Sequence, residues 1–139
     1  MMESVRHILD VYRDAVLAKD VDGFLALYAA DARIFDMWGA WSYDDAEAWR
    51  RNVEGWFASL GSETVGVAFD DVRTIATGDL VVAQAFVTYR GLSADGTELR
   101  SMQNRVTFAL GRRDGGWRIV HEHSSSPAAF ETGKVMLAR

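Results

Sequence analysis

The spacing of apolar residues changes once along the chain, from a helical period in the first sixty residues to a strand period afterwards. Val5, Ile8, Leu9, Tyr12, Val16 and Leu17 recur every three or four positions, which predicts an amphipathic helix over about residues 3–18. Asp20 stands where an N-cap belongs, before a short second helix with Phe24, Leu27 and Tyr28 on one side. Residues Ala32 to Asp36 read as a brief strand. Asp44 and Glu47 are spaced as a capping box for a third helix, whose stripe is Trp49, Val53, Trp56, Phe57 and Leu60. Gly61 is placed to end it.

Beyond Gly61 the alternation is two. Segments 64–77, 80–90, 98–111 and 117–125 are rich in Val, Thr, Phe and Ala and predict four long strands. Their connections, Thr77-Gly78-Asp79, Ser93-Ala94-Asp95-Gly96 and Asp114-Gly115-Gly116, are turns, so the strands run as antiparallel hairpins. The single proline, Pro127, falls just outside the last strand. Helices followed by strands predict an α+β domain with the helices on one sheet face, filling residues 1–139 without a linker. In the second long strand, Val81, Ala83, Ala85, Val87 and Tyr89 share one face while Leu80, Val82 and Phe86 share the other. Apolar residues on both faces predict that the outer face is covered as well, and a second copy of the chain, in a homodimer, is the expected cover.

Composition narrows the function. The 139 residues carry 15 Lys and Arg against 20 Asp and Glu, a net charge of −5, which offers nothing for a phosphate backbone and excludes nucleic acid as a partner. No window approaches the roughly 20 apolar residues of a membrane span, and the first residues lack a secretory core, so a cytoplasmic protein is expected. With no cysteine, thiol catalysis and thiolate metal sites are excluded. Five Trp, four Tyr and seven Phe are ample for the wall of an apolar cavity.

Polar residues inside apolar strands mark the candidate chemistry, because burying one without a partner costs about 1–3 kcal/mol. Strict alternation from Trp117 and Ile119 places His121 and His123 on one face and Glu122 and Ser124 on the other. Gln103 and Arg105 form a second polar row. The row of Gln103, Arg105, His121 and His123 reads either as groups converging on a ligand or as an internal network in which Arg105 pairs with Asp36 or Glu122. His121 and His123 lack a third ligand at any metal-site spacing, so no metal is expected, and they stand as acid–base candidates. Neither a nucleophile elbow nor a phosphate-binding glycine loop is present, so no nucleotide cofactor is expected. Trp38, Trp41 and Tyr43 lie on the connection before the third helix, where aromatics suit the mouth of a pocket.

Two segments carry a family resemblance. Residues 18–33, which include Asp20-Val21-Asp22-Gly23-Phe24, and residues 114–127, which include Trp117-Arg118-Ile119-Val120-His121-Glu122-His123, are similar to SnoaL-like polyketide cyclases and ketosteroid isomerases of the nuclear transport factor 2-like superfamily. Arg105-x-Thr107 fits the SnoaL-like branch. The resemblance implies a cone, a curved antiparallel sheet wrapped round three helices in the cystatin-like manner, with a pocket at its wide end. It also implies a small apolar or carbonyl-containing ligand and chemistry without a cofactor. Asp36 matches the position of the proton-moving base, and Tyr12 that of the phenol that stabilises the enolate. Expected catalytic residues are thus Asp36, Tyr12, His121 and His123, with Trp38, Trp41, Phe57, Gln103 and Arg105 binding the ligand. Isomerase or cyclase action beside a carbonyl is the expected function; a non-catalytic ligand-binding or dimerisation module is the alternative. The protonated Asp that ketosteroid isomerases place on the penultimate strand has no counterpart here, where Gln103, Asn104 and Arg105 stand instead.

Overall fold

In a computed structural model that describes residues 2–139, the apolar stripe of the first helix becomes the floor of the fold. Helix α1 (Met2–Ala18) buries Val5, Ile8, Tyr12 and Val16. Asp20 caps α2 (Val21–Leu25) as its residue type predicts, its extended backbone letting the carboxylate accept from Gly23 N at 3.0 Å. Phe24 then drops into the core with no exposed surface. Strand β1 (Tyr28–Phe35) starts four residues before the predicted one. Helix α3 (Ala46–Ser59) is capped by Asp45, not Asp44, through a bond from Ala48 N at 2.8 Å. Asp44 turns aside to Arg33 and Ser42.

Strands β2 (Thr64–Thr77), β3 (Leu80–Leu92), β4 (Glu98–Arg113) and β5 (Gly116–Ser125) form the antiparallel meander that the turns dictate. The sheet order is β1-β5-β4-β3-β2, and β1 joins parallel to β5, so the sheet is mixed and unclosed. That parallel pairing is the one departure from an antiparallel sheet. It needs the long crossover that α3 and the meander supply.

Each strand pairing has a register shift, and two of them matter for the site. One lies in β2 between Asp70 and Arg73, with Asp71 at φ 51°. The other lies in β5, where Leu110 pairs with Ile119 but Ala109 pairs with His121. Val120 is therefore an extra residue, a bulge, and strand parity resets across it. Ile119 faces the helices, and so do Glu122 and Ser124, whereas His121 and His123 face away. Phe24, Ile34, Val53, Phe108, Leu110 and Ile119 fill the space between sheet and helices. The chain after β5 folds back, and Leu137 O accepts from Gln103 N at 2.7 Å, extending the sheet past the end of β5. No described helix is long and apolar enough to cross a membrane.

Candidate active site

Where the curved sheet parts from α1 and α3, a cavity of about 560 Å³ opens, a volume suited to a small organic molecule. Its wall is aromatic on the helix side, with Tyr12 of α1 and Trp49 and Trp56 of α3, and Trp38 stands at the mouth. The strands add Val65, Tyr89, Met102, Asn104 and Glu122, and Leu137 closes one edge. Arg100 lies on the rim in an ion pair with Glu63, whose backbone carbonyl is itself held by Lys19 Nζ at 3.0 Å.

Three polar groups occupy this apolar setting. The first is Asp36, just past the end of β1. Its Oδ1 accepts from Ser124 Oγ at 3.2 Å and its Oδ2 from Trp38 N at 3.3 Å. Burial raises the Asp36 pKa above the ordinary carboxylate range, with the donors at Trp38, Ser124 and Met37 opposing it in part. The second is a phenol pair, Tyr12 Oη and Tyr89 Oη, 3.0 Å apart. Burial pushes both well up, so both keep their protons at neutral pH. Two hydroxyls hold two protons and the shared bond uses one, leaving a donor free for a ligand oxygen. The third is Glu122, 3% exposed, whose Oε1 accepts from Tyr28 Oη at 2.5 Å. Loss of water pushes its pKa up to about 8, against the lowering effect of the tyrosine bond and with a further rise from Asp36. Buried Asn104 Oδ1 and Trp49 Nε1 have no hydrogen-bond partner within ordinary geometry, though both side chains lie near enough to Tyr89 and Tyr28 to ease those phenols downward.

Of the residues singled out from the sequence, Tyr12, Asp36 and Trp38 meet at this cavity. The others lie elsewhere. His121 and His123 point to the opposite sheet face because the Val120 bulge reverses their parity. There they flank the Phe35 ring at 5.0 and 5.4 Å, and His121 Nδ1 lies 2.7 Å from Arg33 O. Arg105 shares that face and donates to Ser125 Oγ at 2.9 Å, pairing with neither Asp36 nor Glu122. Gln103 bonds Thr88 Oγ1 and, through Oε1, Arg139 N. Arg105 and His123 do share a groove of about 530 Å³, with Arg73, Gln84 and Thr107, but on the outer face. Trp41 is 98% exposed, and Phe57 is a core residue packed on Phe24 and Trp56. Among the described residues no three His, Cys, Asp or Glu side chains are grouped as a metal site would group them. Tyr89, Glu122, Trp49 and Trp56 are among the wall residues that the sequence alone does not mark as functional. The signal for Glu122 is a carboxylate inside a strand-forming run that begins Trp117-Arg118-Ile119-Val120, but alternation counted without the bulge turns it outward.

The geometry has parallels. A protein of unknown function with the NTF2-like fold, from Pseudomonas putida, superposes with a TM-score of 0.84 and 26% identity over 97% of this chain and 92% of its own. Aln2 from a Streptomyces species follows the same fold, with a TM-score of 0.79 and 18% identity over 89% of this chain and 88% of its own. A candidate scytalone dehydratase from Novosphingobium aromaticivorans does so too, with a TM-score of 0.75 and 11% identity over 91% and 83%. No curated protein matches the chain. The SnoaL-like domain family matches residues 5–129, which is nearly the whole fold and includes Tyr12, Asp36, Tyr89 and Glu122; the chain belongs to that family.

Proposed function

We propose that the chain is a cofactor-independent enzyme that moves a proton on the carbon next to a carbonyl, as an isomerase or cyclase would. One observation carries this reading: a half-buried carboxylate, Asp36, and a phenol pair with a spare donor, Tyr12 and Tyr89, border the same apolar cavity. A carboxylate of raised pKa is a competent base for a carbon acid, and a phenol donor stabilises the oxyanion that develops when the proton leaves. The aromatic wall selects a flat, largely apolar substrate. The SnoaL-like membership agrees with a small-molecule ligand.

The test uses 2-tetralone as a model ketone in deuterated buffer, with α-hydrogen exchange followed by NMR. The wild type exchanges faster than buffer, and Asp36→Asn lowers the enzymatic rate by roughly 10²-fold or more while the protein stays folded. A wild type that binds the ketone and exchanges nothing is a binding module instead.

The homodimer belongs to the same proposal. Ile75 is 63% and Leu80 42% exposed on the outer face, beside half-buried Val82 and Phe86, which supports a second copy seated there. Native mass spectrometry of the wild type should give twice the chain mass, and Ile75→Lys with Leu80→Lys should give the monomer; a monomeric wild type rules the dimer out.

A further inference from the structure

Glu122 has no task in the reaction as just described, yet its surroundings are specific. It projects from β5 into the cavity wall. Its titratable neighbours are Tyr28 on β1, Asp36 beyond the end of that strand, Tyr12 on α1 and Tyr89 on β3. Trp49 and Asn52 of α3 and Asn104 of β4 share the wall, and Phe108 sits opposite in the β4 register. No cation is among them; Arg100 stands on the rim with Glu63. A carboxyl buried without a cation keeps its proton, because the anion would lose its hydration and gain nothing in return.

One hydrogen bond anchors the carboxyl and leaves its other oxygen for a ligand. Tyr28 holds Oε1, and with the phenol as donor in that bond the acid O–H falls to Oε2. Glu122 lines the cavity, and its Oε1 is the oxygen engaged by Tyr28. An acid proton on Oε2 is placed to serve a ligand in the cavity that Glu122 lines.

We propose that Glu122 is the acid partner of Asp36, passing its Oε2 proton to the oxygen of a bound carbonyl compound as Asp36 removes the carbon-bound proton. The carbon–hydrogen bond breaks and its proton joins Asp36; a carbon–carbon double bond forms; the carbonyl oxygen becomes an enol hydroxyl by taking the Glu122 proton. Return of the Asp36 proton to the same or a conjugated carbon, and of the enol proton to Glu122, restores both carboxyls without an added reactant. The substrate class is thus a neutral ketone that reacts through an enol. This rests on the proton-transfer reading above. It also supplies, from the last strand, the neutral acid that β4 lacks.

Two readouts test it. In infrared difference spectra between wild type and Glu122→Gln at pH 6, a protonated-carboxyl band belongs to the wild type alone, and it converts to carboxylate near pH 8. In 2-tetralone exchange, the wild-type kcat/KM falls about tenfold per pH unit above that point, while Glu122→Gln is slower by roughly 10²-fold and lacks that limb. Tyr28→Phe covers a Glu122→Gln chain that does not fold. The Tyr28 bond lowers the Glu122 pKa, so its loss moves the high-pH limb upward, a change that a merely structural Glu122 would not produce. A carboxylate band at pH 6, or wild-type rate and pH profile in Glu122→Gln, overturns the proposal. If neither wild type nor Asp36→Asn exceeds buffer exchange, the proton-transfer reading fails as a whole, and the acid role with it. If the wild type exchanges and only the Glu122 results fail, Asp36 stands and the acid role alone is lost.

Discussion

Both faces of β5 carry polar residues, and their physical states differ. On the inner face Glu122 and Ser124 are buried, each with a partner from another element, Tyr28 for one and Asp36 for the other. On the outer face His123 is exposed, and His121 and His123 pack on Phe35 in a shallow, solvent-reached arrangement with Arg33 over the same ring. Water is the difference. Removed from it, a carboxyl holds its proton more tightly, whereas a group left in contact with it keeps its hydration. The residue types that most suggest chemistry on paper, two histidines and an arginine, lie on the wet side, and the chemically altered group is a glutamate between them.

The largest test of this contrast is packing. Phe24 has no exposed surface and meets the rings of Tyr12, Tyr28 and Phe57 at 4.8, 5.5 and 6.1 Å. Phe24→Ala should cost about 3–5 kcal/mol and release Tyr12 from its position on the cavity floor. Phe35→Ala, on the outer face with its two histidine neighbours, should cost about 1 kcal/mol. Chemical denaturation of both variants measures the pair, and equal losses would erase the distinction between the faces.

Next in size is the dependence of stability on pH. Glu122 binds its proton more tightly when folded, with a pKa of about 8 against 4.5 in the open chain. Between those values the native state holds a proton that the unfolded state has released, so stability falls as pH rises, and the fall levels off above about 8. Glu122→Gln removes this slope. The variant should match the wild type near pH 4 and exceed it by up to a few kcal/mol at pH 9, as read from urea midpoints at each pH. A wild-type curve parallel to that of Glu122→Gln over this range would mean that Glu122 is not desolvated.

How far the sequence reveals this arrangement depends on whether the cause is local. Helical stripes, the Asp20 cap and the three strand turns are written in neighbouring residues, and each is present in the fold. Tyr12 and Asp36 were legible from the stripe and from family resemblance. The beginning of β1 was not, because its partner is β5, more than ninety residues away: Tyr28 and Glu122 are 94 positions apart. Nor was the Val120 bulge, since Ile119-Val120-His121 reads as unbroken strand. One extra residue reverses the face of everything after it, so Glu122 and the two histidines exchange faces through a single uncounted position. Trp49 and Trp56 read as core, and they serve the core and the cavity together.

The smallest expected effect is the sharpest check on which face works. His121→Gln combined with His123→Gln leaves the bulge, the β1–β5 pairing and every cavity-wall residue in place. Both rings lie on the far side of the sheet, so neither can reach a ketone held between Tyr12, Asp36 and Glu122. Stability should change by about 1 kcal/mol at most, through lost contact with Phe35. The 2-tetralone exchange rate should stay within about twofold of wild type, the spread expected of a substitution remote from the reacting atoms. A loss approaching that of Asp36→Asn would move the chemistry to the outer groove, where His123 and Arg105 are neighbours, and would make the aromatic cavity a binding feature only.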